Sequence, residues 1–375
     1  MSIHILHVVG ARPNFMKAAP VLSALGAAGF SQTIVHTGQH YDANMSDIFF
    51  RELEIPEPHE NLAVGSGSHA QQTARIMTAF ESVVLERNPD LVMVYGDVNS
   101  TVAAALVCAK LQIPVAHVEA GLRSNDRSMP EEINRLLTDQ LSDLLFTPSA
   151  DANRNLEREG IPAERVHLVG NVMIDTLVRL LPRALENKKQ GFPANYALVT
   201  LHRPSNVDDP EALRRILSCM LSVSNNRDKE KALAVIFPVH PRTRLRIAQF
   251  GIPTDGLHLC DPLSYLDFLA LQAGAAVVIT DSGGIQEETT FLGVPCLTLR
   301  ANTERPVTVE IGTNVLIGND TDRLRAELAK ILDGGHGQKK GAIPPLWDGH
   351  AGERIARIVQ EFFEKRVKSA ARVSA

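Results

Sequence analysis

The chain has 375 residues, of which 44% are hydrophobic and 22% are charged, so its length suggests about two domains with substantial cores. Its formal net charge of −5 argues against a nucleic-acid or anionic-membrane partner. The four scattered cysteines have no CxxC or zinc-like spacing, and the first residues read directly as a strand rather than as a signal or membrane span. We therefore expect a soluble cytoplasmic protein with free thiols.

Strand-like runs alternate with helical patterns through the first half of the sequence. An apolar run ends at Gly10, and Gly29 closes the helical pattern that follows it. In chain order, the pattern predicts strand 3–9, helix 14–28, strand 32–36, helix 70–87, strands 91–95 and 114–118 with a helix between them, helix 135–143, strand 144–147, helix 151–159 and strand 166–169.

The same alternation begins again after a helix at 176–187 and a polar, breaker-rich stretch at 188–194, which indicates a linker. The later strands are predicted at 196–201, 234–238, 257–259, 276–280, 296–299 and 314–316, with helical segments between them and an amphipathic helix at 350–368. Short connections between alternating strands and helices are typical of parallel sheets covered on both faces. The sequence therefore predicts an α/β protein with two Rossmann-like, doubly wound domains facing a central cleft.

Acidic residues follow two neighbouring strands of the first domain. Asp97 follows one apolar strand, Glu119 follows the next, and a loop then brings Glu131 and Glu132 with arginines nearby. Because the carboxyl ends of parallel strands line one crevice, we expect acid/base chemistry there. Asp97 could instead cap a helix, and one of the two adjacent glutamates could be a solvated helix start.

A glycine turn in the second half separates a β-branched strand from a helix. Ser282, Gly283 and Gly284 open this helix, where bare backbone N–H groups can approach a phosphate at the positive end of the helix dipole. Glu288 follows one turn later and could accept hydrogen bonds from sugar hydroxyls. The motif favours a nucleotide site, with an ordinary glycine turn as the alternative.

The loop after the first strand lacks both GxGxxG and GK[ST], so we do not expect a dinucleotide cofactor bound through that fingerprint. Arg12 in this loop could contact a diphosphate or simply lie at the surface. His202 and His240 each follow a strand of the second half and could face the cleft or be structural. No histidine spacing suggests a metal site.

Taken together, these motifs resemble the non-hydrolysing UDP-N-acetylglucosamine 2-epimerases, a family whose fold is of the glycosyltransferase-B type. The resemblance covers nearly the whole chain, and its most specific motifs occur in the family's order. The matching motifs are GARPNFMKAAP (10–20), TGQH (37–40), GDVNST (96–101), HVEAGLR (117–123), PEEINR (130–135), LHRPSN (201–206), DSGGIQEE (281–288), TERP (303–306) and DGHAGERI (348–355).

The resemblance implies roles for individual residues. It implies catalytic roles for Asp97, Glu119, Glu131 and His202. It also implies that the substrate is bound by Arg12, Lys17 and Arg135 near the diphosphate and sugar, by Ser282, Gly283 and Gly284 as a diphosphate cradle, by Glu288 at the ribose, by Phe268 beside the uracil, and by Arg305.

The resemblance further implies that residues 1–172 form the domain with the catalytic carboxylates and that residues 173–349 form the UDP-binding domain. Whether the helix at about 350–370 packs back on the first domain is left open. The implied reaction interconverts UDP-GlcNAc and UDP-ManNAc by elimination of UDP to 2-acetamidoglucal and re-addition. It needs no cofactor and is expected in a cytoplasmic homodimer that serves polysaccharide biosynthesis.

Four alternatives stay open at this point. One is a hydrolysing epimerase that releases free ManNAc, and another is a 2-epimerase of a UDP-2,3-diacetamido uronate. The third is a glycosyltransferase of the same fold. The last is a non-catalytic UDP-sugar sensor, which would keep the glycine turn and Glu288 without needing three converging carboxylates.

Overall fold

The computed structural model describes residues 3–39, 52–187, 191–224, 233–333 and 341–373. His40 of the TGQH motif, residues 188–190 of the predicted linker and the side chain of Arg12 lie outside this description. The chain divides into two compact units. Unit 1 comprises Met1–Arg179 and Pro345–Ala375, and unit 2 comprises Leu180–Pro344.

Unit 1 contains a parallel sheet whose seven described strands lie in the order β3-β2-β1-β4-β5-β6-β7. The central strands β4 and β5 are buried along their whole length, as their continuous apolar sequences predict. The strands are β1 (His4–Val9), β2 (Ser31–His36), β3 (Glu60–Asn61), β4 (Leu91–Tyr95), β5 (Val115–Val118), β6 (Leu144–Thr147) and β7 (Val166–Leu168).

Described helices connect β1 to β2 and each successive pair of strands from β3 to β7, as parallel pairing requires. A short 3-10 helix at Ala163–Arg165 precedes β7. The α-helices that begin in the first 179 residues and are described are α1 (Arg12–Ala27), α2 (His69–Arg87), α3 (Asn99–Lys110), α4 (Pro130–Leu141), α5 (Ala150–Arg158) and α6 (Val172–Glu186).

Unit 2 repeats the plan with a six-stranded parallel sheet in the order β10-β9-β8-β11-β12-β13. Its described strands are β8 (Tyr196–Thr200), β9 (Ala234–Pro238), β10 (Leu257–Cys260), β11 (Val277–Thr280), β12 (Cys296–Thr298) and β13 (Asn314–Leu316). Its described helices are α7 (Pro204–Val207), α8 (Pro210–Ser224), α9 (Pro241–Gln249), α10 (Tyr265–Gly274), α11 (Gly283–Leu292), α12 (Pro306–Glu310) and α13 (Thr321–Leu332).

Both sheets follow the strand order of doubly wound folds, which confirms the predicted α/β class with two Rossmann-like domains. In such folds ligands bind outside the carboxyl ends of the strands, where the strand order reverses. That point lies between β1 and β4 in unit 1 and between β8 and β11 in unit 2. Asp97 follows β4, and His202 and Ser282 follow β8 and β11, so several predicted site residues lie beside these two points.

One helix begins earlier than its pattern predicts. The periodicity predicts a helix over 135–143, whereas α4 runs from Pro130 to Leu141. Proline suits the first position of a helix because it lacks the N–H that would be unpaired there. Acidic residues in the first turn stabilise the helix, because their negative charge interacts favourably with the positive end of its dipole. Glu131 and Glu132 therefore lie in the first turn of α4 and not in a loop.

The C-terminal helix α14 (Ala351–Val373) packs against α1 in unit 1. Its first N–H groups are capped by the Asp175 carboxylate of α6, which accepts hydrogen bonds from Ala351 N at 3.1 Å and Gly352 N at 2.7 Å. Burial raises the pKa of Asp175, although these N–H donors act in the opposite direction. The last helix is thus tied to α1 and α6 of unit 1. No helix among the described residues combines the length and apolar character needed to cross a membrane.

Two glycines in unit 1 allow a matched stability test. Gly170 and Gly160 both have positive φ angles, of 92° and 77°. An added Cβ at Gly170 would lie 2.1 Å from the backbone oxygen of Leu346, whereas nothing lies within 4 Å of one at Gly160. We expect Gly160→Ala to cost about 1 kcal/mol of unfolding free energy through backbone strain, and Gly170→Ala about 3 kcal/mol or more because overpacking is added.

Thermal unfolding of both variants, followed by circular dichroism beside the wild type, measures this difference. Equal losses of stability in the two variants would contradict the close packing of Leu346 on Gly170.

Candidate functional site

The carboxylates that follow β4 and β5 lie at one edge of the unit 1 sheet, because these strands pair in parallel with Tyr95 opposite Val118. Gly96 and Asp97 follow β4 directly, and Glu119 follows β5 directly. This is the arrangement that the strand-end pattern predicts.

Glu119 is buried, and its carboxylate forms an ion pair with the Lys17 ammonium of α1. Its φ angle is 74°, a left-handed conformation that costs a non-glycine residue about 1–3 kcal/mol. The backbone maintains this conformation because the N–H groups of Glu119 and Ala120 both donate to the carbonyl of Phe146, at 3.1 and 3.0 Å. Strained residues of this kind cluster at functional sites. The backbone conformation of Glu119 is therefore an indication of a functional role that does not depend on its charge.

Asp97 is held by a guanidinium. Arg135 of α4 donates to Asp97 Oδ2 from Nε at 3.0 Å and from Nη2 at 2.6 Å. Asn134 donates to the backbone oxygen of Asp97 at 2.9 Å. The Asp97 side chain stays 24% exposed, so a ligand can reach a carboxylate whose orientation is already set.

Gly96 links the two ion pairs, because it precedes Asp97 in the chain and lies against the Lys17–Glu119 pair. A Cβ built on this glycine would lie 2.7 Å from Lys17 Nζ and 3.2 Å from Glu119 Oε2. The backbone that leads into Asp97 therefore lies directly against the Lys17–Glu119 pair. Four of the predicted site residues, which are Lys17, Asp97, Glu119 and Arg135, come together in unit 1.

The adjacent glutamates of α4 have different environments. Glu132 is buried and accepts hydrogen bonds from the N–H groups of Ser124 and Asn125, both at 2.9 Å, and from Arg135 Nη1 at 2.7 Å. Glu131 is exposed. Sequence reasoning did not assign a role to Glu132, although its three-residue spacing from Arg135 is a signal for a helical ion pair. Glu132 orients Arg135 and holds the loop after β5, while Glu131 is open to solvent.

In unit 2 the glycine turn opens α11 as predicted, with Ser282 as the N-cap residue and Gly283 and Gly284 in the first turn. A Cβ on Gly283 would lie 2.5 Å from Arg305 Nη1, so the guanidinium lies against the start of the helix. Arg305 Nε is 2.8 Å from Glu287 Oε1, which fixes this side chain. A cation beside a helix N-terminus favours an anion such as a diphosphate.

The predicted nucleoside contacts lie on α10 and α11. Glu288 is buried and accepts a hydrogen bond from the Tyr265 hydroxyl at 2.9 Å. Phe268 is half-buried, and it packs with Ile285 against the same apolar cluster. The Glu288 carboxylate is therefore oriented by a tyrosine that sequence reasoning did not single out.

His202 follows β8 and is held by an aspartate. Its Nδ1 is 2.8 Å from Asp281 Oδ1, and its side chain is 49% exposed. Asp281 is buried and also accepts from Arg203 N and from Asn206 Nδ2, both at 3.0 Å. Burial alone would raise the pKa of Asp281, but the hydrogen bonds from His202, Asn206 and the backbone outweigh it and lower the pKa.

An ionised Asp281 requires a proton on Nδ1 of His202, which leaves Nε2 available to hydrogen-bond with a ligand. His240, by contrast, accepts a hydrogen bond from Arg242 N at 3.3 Å and caps α9. Burial lowers the pKa of His240. Within the part of the chain that is described, no group of three or more His, Cys, Asp or Glu side chains is arranged to hold a metal ion.

Comparison with known proteins agrees with the motifs. Residues 23–360 match the family described as UDP-N-acetylglucosamine 2-epimerase. The UDP-N-acetylglucosamine 2-epimerase of Methanocaldococcus jannaschii is 43% identical over 364 residues, which cover 94% of this chain and 97% of that protein. The UDP-2,3-diacetamido-2,3-dideoxy-D-glucuronate 2-epimerase of Pseudomonas aeruginosa is 42% identical, over 95% of this chain and 99% of that protein.

A solved structure gives the same result. The crystal structure of the Methanocaldococcus jannaschii enzyme in complex with UDP-GlcNAc and UDP superimposes with a TM-score of 0.87 at 42% identity, covering 96% of this chain and all of that chain. Sequence and fold thus agree over nearly the whole length. The chain belongs to the UDP-N-acetylglucosamine 2-epimerase family.

Proposed function

We propose that this protein interconverts UDP-GlcNAc and UDP-ManNAc by eliminating UDP to form 2-acetamidoglucal and adding it back. The observation that carries the proposal is the meeting of two carboxylate–cation pairs, Asp97–Arg135 and Glu119–Lys17, at the carboxyl ends of β4 and β5. Family membership supplies the substrate class, and the paired carboxylates supply the acid/base groups that inversion at C2 requires.

The chemistry explains the need for carboxylates. The C2 proton of the sugar has no adjacent carbonyl, so simple deprotonation would not give a stabilised carbanion. Breaking the C1–O bond to UDP instead makes C1 oxocarbenium-like, and nearby negative charge stabilises that developing cation. A carboxylate then takes the C2 proton to form the glycal. In the return step, an acid delivers a proton to the opposite face of C2 as UDP adds to C1.

We assign these proton transfers jointly to Asp97, Glu119 and Glu131. Lys17 and Arg135 orient the first two carboxylates, and fixed orientation of this kind reduces the entropic cost of reaching the transition state. The exposed position of Glu131 in the first turn of α4 supports a role in exchanging a proton with the sugar or with solvent.

Unit 2 is proposed to bind the nucleotide. The start of α11 at Ser282–Gly284 and the guanidinium of Arg305 would hold the diphosphate, and Arg12 of unit 1 is proposed as a further diphosphate contact. Glu288 would accept from the ribose hydroxyls, and Phe268 would lie beside the uracil. His202, oriented by Asp281, would donate to the departing diphosphate. The reaction as proposed uses no cofactor.

The family resemblance also supports the setting of the reaction. We propose a homodimer in the cytoplasm whose UDP-ManNAc is used in polysaccharide biosynthesis.

A second substrate has specific support. The relative from Pseudomonas aeruginosa, named for a UDP-diacetamido-glucuronate, is 42% identical to this chain, and the UDP-GlcNAc 2-epimerase relative is 43% identical. Overall identity therefore does not separate the two sugars. The second candidate is therefore a 2-epimerase of that uronate acting by the same elimination. This substrate would require an additional cation in the site to bind its carboxylate.

Turnover in heavy water tests the proposal. Purified protein with UDP-GlcNAc in deuterated buffer should give UDP-ManNAc carrying deuterium at C2, because the proton removed there exchanges with solvent before its return. Proton NMR of the sugar measures both the product and the label. A C2 that stays fully protonated would rule out elimination and re-addition.

The same experiment separates the other activities. Free ManNAc with UDP would identify a hydrolysing enzyme. Inertness toward UDP-GlcNAc together with turnover of the diacetamido uronate would favour the second candidate. Sugar transfer only after an acceptor is added would favour a glycosyltransferase, and binding of UDP without turnover would favour a sensor.

A further inference from the structure

A buried histidine lies beneath the two carboxylates and belongs to none of the roles assigned so far. His117 is on β5, two residues before Glu119, and its side chain is fully buried. Its Nδ1 lies 2.6 Å from Asp139 Oδ1 of α4, and its Nε2 lies 2.8 Å from the backbone oxygen of Gly96. Both ring nitrogens therefore face oxygen atoms at hydrogen-bonding distance.

These partners determine where the protons are. A backbone carbonyl can only accept a hydrogen bond, so Nε2 must carry a proton. The other oxygen of Asp139 accepts from Arg123 Nη2 at 2.7 Å and from Gly121 N at 3.1 Å, as expected of an ionised carboxylate. Burial would raise the pKa of Asp139, but the charges and hydrogen bonds of His117 and Arg123 outweigh it and lower the pKa. Nδ1 must then carry a proton as well.

The surrounding charges balance a cationic His117. Arg123 also forms a double hydrogen bond with Glu159, at 2.8 and 2.6 Å, so the cluster of His117, Asp139, Arg123 and Glu159 contains two cations and two anions. The ion pairs on the adjoining loops are Lys17–Glu119, which is neutral, and Arg135 with both Asp97 and Glu132, which carries one net negative charge. A buried cation is tolerated only when paired in this way.

The cluster connects the two loops that carry the carboxylates. The carbonyl that His117 holds is that of Gly96, immediately before Asp97. Asp139 holds Gly121 and Arg123, in the loop immediately after Glu119. Asp139 is also on α4, the helix whose Arg135 binds Asp97.

We propose that His117 is a positioning residue that carries a proton on both ring nitrogens and, with Asp139, fixes the Asp97 loop against the Glu119 loop. This inference rests on the proposed function for its catalytic consequence. A neutral imidazole would turn a nitrogen lone pair toward either the Gly96 carbonyl or the Asp139 carboxylate. The resulting repulsion would move one loop relative to the other and change the separation of the two carboxylates.

NMR of the full-length protein labelled with nitrogen-15 at histidine tests the protonation state without using activity. The His117 signals are assigned by their disappearance in His117→Gln. Both ring nitrogens should have imidazolium shifts at about pH 7.5, because each faces an oxygen that accepts a hydrogen bond. A His117 ring with one unprotonated nitrogen under these conditions would overturn the proposal.

Kinetics tests the positioning role. In His117→Gln, kcat per folded molecule should fall about 10²-fold, because small displacements of catalytic groups cost rates of that order, while KM changes less than about threefold. Asp139→Asn should show the same split, and the double variant should lose little more than either single one, because the two residues act as a unit. The matched control is His258→Gln, the same replacement at an exposed position of β10.

The outcomes separate this inference from the proposed function. A wild-type protein without 2-epimerase activity refutes the proposed function, and the NMR experiment still decides the charge of His117. An active wild type with unchanged kcat per folded molecule in His117→Gln overturns the positioning role. If the glutamine variant does not fold, His117→Asn replaces it, because its amide can still donate to Asp139 but not to Gly96.

Discussion

Replacing Glu119 with glutamine is expected to lower kcat by about 10²–10⁴-fold, the usual contribution of a positioned acid or base. The amide has nearly the same shape but can neither take a proton from C2 nor stabilise positive charge at C1. UDP affinity should change little, because Glu119 is not among the proposed nucleotide contacts, most of which belong to unit 2. Epimerisation kinetics and calorimetric titration with UDP measure the two quantities on one preparation.

The same substitution should also destabilise unit 1. Glutamine leaves the buried Lys17 ammonium without its counter-charge, and removing one partner of a buried ion pair costs about 3–5 kcal/mol. Activity must therefore be expressed per folded molecule, with thermal unfolding measured in parallel. Glu157→Gln is the matched control, because Glu157 is exposed on α5 of the same unit and should retain both activity and stability.

Replacing Asp97 with asparagine should lower kcat by at least about 10²-fold with a much smaller loss of stability. Arg135 would still pair with Glu132 through Nη1, and the Asp97 side chain is partly exposed, so no buried cation is left without an anion. This contrast with Glu119→Gln follows directly from the different partners of the two carboxylates.

Asp255→Asn, at an exposed position of unit 2, controls for the general effect of the replacement. Deuterium exchange at C2, followed by NMR, shows whether the remaining activity still passes through proton removal. Near-normal turnover by both Asp97→Asn and Glu119→Gln would remove these residues from the mechanism.

Much of the fold and part of the site could be predicted from the order of residues alone. Apolar runs with short connections predict parallel strands and helices, since backbone pairing and burial depend on local periodicity. The rule that ligands bind at the carboxyl ends of such strands then selected Asp97, Glu119, His202 and the Ser282–Gly284 turn. The family motifs added Lys17, Arg135 and Arg305, whose positions no strand-end rule indicates.

The partners of these residues were decided only by the tertiary structure. Lys17 lies 102 residues from Glu119, Arg135 lies 38 residues from Asp97, and Asp281 lies 79 residues from His202. Local patterns cannot specify such pairs because they depend on which strands become neighbours, as β1 and β4 do in unit 1. The partners of His117 could not be predicted either, because the sequence around it shows only a polar residue in an apolar strand.

Local sequence thus determined the elements of this protein and which residues end its strands. The tertiary structure decided which charges meet, which of Glu131 and Glu132 is buried, and where α4 begins. The physical reason is that periodicity is set by neighbouring residues along the chain, whereas the cost of burying a charge depends on partners brought together by the fold.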